Sequence, residues 1–296
     1  MSAADEHLAT RRAAGLFDFS FMGLYEFIGT SDLQQLQTRR LADLEKRQIA
    51  YTLLLKPDGA VLIDATVWNL GEERFWLFAG RRAAYGGRDR SGELAILALQ
   101  GPASGRILAR LIGSDAVCSL RYFHFCENEG LTVGRIGYSG ELGYELLVPA
   151  ADAARLKQDI LEEGKNEGLC ECGWAAADSL RIEAGYVLFD REIDGRANPR
   201  ELGLERLAPG RKDFEVRRRL VGLDIAAAPA PAALPAARVT SECFSPLMEK
   251  RIALGFAPPQ SLRAGSVLRL EDGRLARAVP LPFYDAERRR PRADPL

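Results

Sequence analysis

Long hydrophobic runs are missing from this 296-residue sequence. Its apolar stretches stop short of the ~20 residues that a membrane-crossing helix needs, so no helical membrane span is expected. A charge excess is missing too: 40 Lys and Arg stand against 41 Asp and Glu, a formal net charge of −1. That balance creates no overall field to attract nucleic acid or an anionic membrane. Histidine is scarce, with only His7 and His124. The five cysteines, Cys118, Cys126, Cys170, Cys172 and Cys243, are odd in number and follow no framework spacing, which fits a reducing compartment. Cys170-Glu171-Cys172 lacks the two-residue gap of a zinc knuckle. His124 and Cys126, two apart in "RYFHFC", would share a face of a strand. A half-buried aromatic strand is the simpler reading of that segment, and no metal is expected. The N-terminal "MSAADEHLATRRAAG" has neither the apolar core nor the cleavage site of a secretory signal. The cytoplasm is the expected location.

Hydrophobic residues make up 47% of the chain and charged residues 27%, an ordinary globular balance over a length that suits two units with separate cores. "TSDLQQLQTRRLADLEKRQ" (30–48) carries Leu33, Leu36, Leu41 and Leu44 on a helical stripe behind a Thr30 or Ser31 cap, which predicts a helix. "YTLLLKPDGAVLIDATVW" predicts a hairpin, with Pro57 presetting the turn and Gly59 taking positive φ. "ERFWLFAG" and "ELAILALQG" read as strands. "PASGRILARLIG" reads as a short helix opened by Pro102 and stopped by Gly113. Helices are expected over "PAADAARLKQDILEEGKNEG" and over "WAAADSLRIEAGY", the latter ended by Gly185. Strands and helices alternate, but hairpins join many strands, so the fold class is α+β. From about residue 220 short strands and turns predict a small all-β unit. Within it "AAAPAPAALPAA" (226–237) reads as a flexible loop. The basic tail "ERRRPRADPL" reads as a solvated end, with a phosphate or carboxylate contact as the alternative.

No phosphate-binding glycine loop, nucleophile elbow or metal motif is present. Three places could carry chemistry. Asp64 shares a strand face with Leu62, so either its carboxylate points into an apolar interior, where its pKa rises and it can act as a base, or the strand has reached solvent by that point. In "RIGYSGELGYELLVP" (135–149), Tyr138-Ser139-Gly140-Glu141 reads as a turn, and Glu145 then sits among residues that should be buried. A carboxylate there needs donors from the fold or from a ligand bearing several N–H groups; the alternative is an exposed edge-strand glutamate. Asp178, Arg181 and Glu183 stand at helical spacing, where structural ion pairing is the plainer role.

The segments "RRAAGLFDFSFMG", "YTLLLKPDGAVLIDATVW", "ALQGPAS", "GYSGELGYELLVP", "CGWAAADSLRIEAGY", "NPRELGLERL", "VTSECFSPLMEKRIALGF" and "LPFYD" run in order from residue 11 to residue 285. Together they resemble the glycine-cleavage T-protein (aminomethyltransferase) family. The resemblance implies a cloverleaf of α+β units around a folate pocket, with a small C-terminal β-barrel. It divides the chain into a folate-binding region over 1–218 and a barrel over 219–296. It implies a tetrahydrofolate-dependent one-carbon transferase acting on folate and a small one-carbon donor, with a lipoyl carrier protein as a partner of the family. Asp64 matches the aspartate of the family's "GGILDD" strand, beside the reacting folate nitrogens. There it would orient the folate and support the cationic character that develops during transfer. Glu145 matches the glutamate on the pterin edge, Tyr138 the tyrosine of the "GYTGE" turn, and Trp76 and Phe78 an apolar strand against the folate.

Departures from the family pattern bear on the same pocket. The arginine of the family's Ala-Arg-Asp-Ser-Leu helix, which helps hold folate, is Ala177, and the histidine of "DVSHMG" is Phe21. The family's usual segment ahead of "GLFD" is expected to be absent, and residues 79–93 leave no room for the family's intervening helix. Arg88, Arg90 or an arginine of the tail could substitute for the missing cation. A non-catalytic folate-binding or maintenance protein on the same fold is therefore the rival reading. The family's iron–sulfur-assisting branch is disfavoured, because "APGRKDF" carries no cysteine.

Overall fold

The computed structural model describes residues 1–209, 214–229, 231, 233–263 and 265–296. Helix α1 (Ala3–Arg12) leads into strands β1 (Ala14–Asp18) and β2 (Gly23–Ile28), then helix α2 (Ser31–Leu36). Four strands follow: β3 (Ile49–Leu55), β4 (Val61–Gly71), β5 (Arg74–Ala79) and the two-residue β6 (Arg88–Asp89). Strand β7 (Leu94–Gln100) precedes helices α3 (Ser104–Ile112) and α4 (Ser114–Ser119). Next come β8 (Phe125–Asn128), β9 (Leu131–Gly134), β10 (Gly143–Pro149), α5 (Ala153–Gly164), β11 (Leu169–Glu171) and α6 (Trp174–Glu183). The last strands are β12 (Arg219–Pro229), β13 (Ala236–Ser245), β14 (Lys250–Ala257), β15 (Val267–Leu270) and β16 (Arg274–Val279).

These strands make a six-stranded sheet, β11-β1-β7-β10-β9-β8, a five-stranded sheet, β3-β4-β5-β2-β6, and a closed barrel, β12-β14-β13-β15-β16. Alternation decides what each sheet face carries. On the six-stranded sheet, Phe17, Ala98, Glu145 and Gly134 are successive register partners and so share one face. On the five-stranded sheet, Tyr51 pairs with Thr66 and Thr66 with Phe78, while Trp68 pairs with Trp76. The two faces meet in one aromatic layer of Phe17, Trp68, Trp76, Phe78 and Phe125, with Ala177 and Leu180 of α6 packed into it. Gly134 has no side chain because the Trp68 ring lies where one would be: an added Cβ would stand 2.3 Å from it.

The hairpin forms as expected, closed by the Gly59 amide donating to the Lys56 carbonyl at φ +85°. The expected helix over 30–48 does not form as one element. It stops at Leu36, and a 3-10 turn occupies Leu41–Asp43. Gln37 instead bridges to Leu54 at the edge of β3, and its Oε1 accepts from Thr52 Oγ1 at 2.7 Å. The open edge of β3 offers Gln37 and Thr38 backbone partners that outcompete further helix, while Leu33, Leu41 and Leu44 still bury in one cluster. "RYFHFC" is not a strand throughout: Phe123 takes a left-handed φ of 59°, and β8 starts only at Phe125. Pro102 stands ahead of α3 rather than in its first turn.

The two ends of the alanine-rich stretch 226–237 are strand, because β12 runs to Pro229 and β13 starts at Ala236, claimed by pairing with β16 and β15, while 233–235 form a turn. Residues 230 and 232 between them lie outside the described residues. The tail is largely exposed, as expected of a solvated end, but it is also held in place. It leaves the barrel and returns to the six-stranded sheet, where Arg135 Nη2 donates to the Ala293 carbonyl at 2.6 Å and Pro291 is buried. Among the described residues no helix is long and apolar enough to cross a membrane, and no group of three or more His, Cys, Asp or Glu is placed to hold a metal ion.

Candidate functional site

Asp64 sits mid-strand in β4, half-buried, and its Oδ2 accepts a 2.9 Å hydrogen bond from the Tyr51 hydroxyl on β3. The hairpin register explains the pair: Tyr51 stands opposite Thr66 and reaches diagonally to Asp64. Burial raises the Asp64 carboxyl to about 6, and the Tyr51 hydrogen bond pulls in the opposite direction. Asp64 stands between the two alternatives: it shares a half-buried face with Leu62 and Thr66, while Ile63, Ala65 and Val67 fill the apolar core on the opposite face.

Glu145 lies on β10 between Ala98 and Gly134 and is 9% exposed. Desolvation alone raises its carboxyl to about 7. Among the described residues no protein group donates to it, unlike the other buried carboxylates Glu26, Glu141, Glu183, Glu192 and Glu201, each of which has an arginine partner. A carboxylate this desolvated and without a donor is costly to keep ionised.

The turn before β10 owes its glycines to a different neighbour than a ligand. A Cβ on Gly137 would stand 2.0 Å from Gln100 Oε1, and one on Gly143 would stand 2.5 Å from Gln100 Nε2. Gln100, whose Oε1 accepts from Ser139 Oγ at 2.9 Å, is laid across both positions. The close approach that the glycines allow is that of an internal side chain. Arg11 of α1 holds the turn from below, donating to the Ser139 carbonyl at 2.9 Å and pairing with Glu141 at 3.0 Å.

Tyr138 donates to the Val187 carbonyl at 2.7 Å and stacks on Tyr186 at 5.9 Å between ring centres. Burial raises its phenol well above the ordinary range, and the charges acting on it include Arg181, Asp64 and Glu192, so Tyr138 and Asp64 occupy one electrostatic neighbourhood. Tyr51 feels Asp64, Tyr138 and Tyr186 in the same way. The tail supplies cations to this ring cluster. The Arg288 guanidinium lies 5.5 Å from the Tyr186 ring centre, and that of Arg292 lies 5.3 Å from that of Tyr122.

The structure thus gathers Asp64 and Tyr138 with Tyr51, Tyr186 and the tail arginines, and places Glu145 on the facing sheet beside the same aromatic layer. Trp76 and Phe78 belong to that layer, with rings edge to face at 6.1 Å, and the Trp76 indole N–H is buried without a partner. Tyr51, Tyr122 and Tyr186 escaped the sequence reading, whereas Arg288 and Arg292 are among the tail arginines it had offered. Only the hairpin register could have flagged Tyr51; the rest come together through tertiary contacts. Arg88 and Arg90 are not substitutes for the missing cation, since they pair with Glu93 and, for Arg90, also with Glu26. Ala177 is buried in the aromatic layer, whereas Phe21 is exposed against Trp174.

Beneath the tyrosines, Arg181 is fully buried. It meets Asp178 at 2.8 Å, Glu192 at 2.7 Å and Ser241 of β13 at 2.7 Å, which ties α6 to the barrel. Glu183 does not join that set, as its spacing had suggested. It turns to His7 at 3.0 Å and Arg11 at 2.9 Å.

The family profile described as "GCVT N-terminal domain" matches residues 1–212. A protein named aminomethyltransferase from Symbiobacterium thermophilum is 35% identical, covering 98% of this chain and 91% of that protein. One of the same name from Desulfitobacterium hafniense is 33% identical over 95% of this chain and 89% of that protein. The crystal structure of glycine cleavage system aminomethyltransferase T from Bartonella henselae superposes with a TM-score of 0.81 at 28% identity, covering 96% of this chain and 90% of that one. With the profile spanning more than half of the sequence and relatives above 30% identity over nearly all of it, this chain belongs to the GCVT aminomethyltransferase family.

Proposed function

We propose that this protein is a tetrahydrofolate-dependent aminomethyltransferase that uses Asp64, Tyr138, Glu145, Trp76 and Phe78 at its folate site. The observation that carries the assignment of the site is Glu145, a buried carboxylate whose pKa desolvation lifts to about 7 and which no described protein group satisfies. A reduced pteridine, with its row of N–H donors, fits that need. In this reading residues 1–218 hold the pterin, and 219–296 back it through Ser241 and supply Arg288 and Arg292 from the tail.

Bound tetrahydrofolate supplies the nitrogens that accept the one-carbon unit. The protein's own groups do the rest. Glu145 accepts hydrogen bonds from the pterin edge and fixes its orientation. Trp76 and Phe78 exclude water from the flat faces. Asp64, largely ionised at neutral pH and held by Tyr51, places negative charge where positive charge develops during transfer and can take up a proton there. Arg288 and Arg292, backed by Tyr186 and Tyr122, meet an anionic end of the ligand where the family's helix arginine is Ala177. A lipoyl carrier protein that delivers the one-carbon donor belongs to the same proposal.

Titration of the purified protein with tetrahydrofolate, followed by turnover of Asp64→Asn, tests this. Saturable binding is expected, with the variant retaining affinity but losing turnover by roughly a hundredfold or more. An absence of saturable binding overturns the reading of the site.

A further inference from the structure

Cys170 and Cys172 take no part in the site above. Two residues apart where β11 ends at the sheet edge, they project to the same side, and their sulfurs lie 3.3 Å apart. Both belong to the aromatic layer. Cys172 also lines an open hollow of about 420 Å³ together with Phe17, Trp174 and Phe189, which brings a small solute to Cys172 and so to within one 3.3 Å sulfur–sulfur contact of Cys170. The remaining cysteines, Cys118, Cys126 and Cys243, are free thiols; none of them has another cysteine as a hydrogen-bond partner, as these two have.

We propose that Cys170 and Cys172 form a redox-active dithiol that closes to an intramolecular disulfide when the protein meets a hydroperoxide. The shared hydrogen bond divides the labour: it lowers the Cys170 thiol below the ordinary range and raises Cys172 above it. Cys170 is therefore the attacking thiolate and Cys172 the resolving thiol. The Cys170 sulfur attacks one peroxide oxygen, the O–O bond breaks, and the departing oxygen leaves as an alcohol, or as water when the oxidant is hydrogen peroxide. The Cys172 sulfur then attacks the resulting sulfenic acid. The S–S bond forms, the S–O bond breaks, and the hydroxide leaves with the Cys172 proton as water. Two thiols lose two electrons and the peroxide gains them. The sulfurs close from 3.3 Å to the bonded separation of about 2.05 Å, and Cys172 gives up its contact with Thr10, now 3.7 Å away.

The test uses the full chain carrying Cys118→Ser, which removes an exposed thiol that could cross-link two molecules. The folded protein is treated with one equivalent of hydrogen peroxide, quenched in acid, denatured, alkylated and digested with trypsin. The peptide 166–181 is expected to be lighter by two hydrogens and to carry no alkyl group, and to regain both sites after dithiothreitol. Cys126 and Cys243 remain alkylated. With Cys172→Ser added, oxidation is expected to halt at a Cys170 sulfenic acid that dimedone traps. Alkylation of Cys170 and Cys172 to the same extent as Cys243 after peroxide overturns the proposal, as does independent sulfinic acid formation with no species that dithiothreitol reverses.

Discussion

Glu145 and Asp64 show how burial sets a carboxylate's cost and its use together. The Glu145 carboxyl is raised from 4.5 to about 7 in the fold, so the native state binds its proton more tightly than the unfolded chain does. Stability therefore falls as pH climbs between those two values, and above about 7 the burial of the charge weighs against folding in full, by about 3 kcal/mol. Glu145→Gln is expected to match the parent protein near pH 4 and to exceed its unfolding free energy by up to about 3 kcal/mol at pH 8, while binding tetrahydrofolate more weakly. Denaturant titrations at the two pH values check this; equal stabilities at pH 8 contradict it. For Asp64 the Tyr51 hydroxyl favours the charged form. Tyr51→Phe should shift the acid limb of the kcat/KM profile upward by about one pH unit, and an unmoved limb would separate Tyr51 from the chemistry.

At the scale of the element, the turn between β9 and β10 is set by a side chain from β7. Gly137→Ala drives a methyl group into Gln100, and overpacking of this kind costs about 1–3 kcal/mol. Adding Gln100→Ala is expected to recover part of that loss, a coupling that a double-mutant cycle on thermal unfolding reads directly. The same scale explains where the sequence pattern misled. The leucine stripe of 30–48 located buried residues correctly, yet the hydrogen bonding there follows the free edge of β3, because Gln37 and Thr38 find partners on it. The alanine-rich 226–237 carries no bulky side chains to announce a strand; barrel closure supplies its pairing.

Across the whole molecule, Arg181 is the link between α6, the loop holding Glu192, and β13 of the barrel. Arg181→Met leaves Glu192 buried without its cation, and a broken buried pair of this kind costs about 3–5 kcal/mol. Chemical denaturation should show that loss, with partial recovery in Arg181→Met/Glu192→Gln; a change below 1 kcal/mol would remove Arg181 from this role. The tail also acts at this scale, carrying Arg288 and Arg292 from the barrel back to tyrosines of the N-terminal region.

The sequence alone determined the hairpin around Gly59, the strand positions of Asp64 and Glu145, the all-β C-terminal texture and the family. Each of these rests on local turn chemistry, on period-two alternation or on motif order. Only the tertiary structure decided that Tyr51 and Tyr138 gather with Asp64, that Gln100 accounts for Gly137 and Gly143, and that the basic tail docks back on the N-terminal region. Those outcomes depend on contacts between residues far apart in the chain, whose partners are chosen by competition for burial and unsatisfied hydrogen-bonding groups and leave no periodic trace in the sequence.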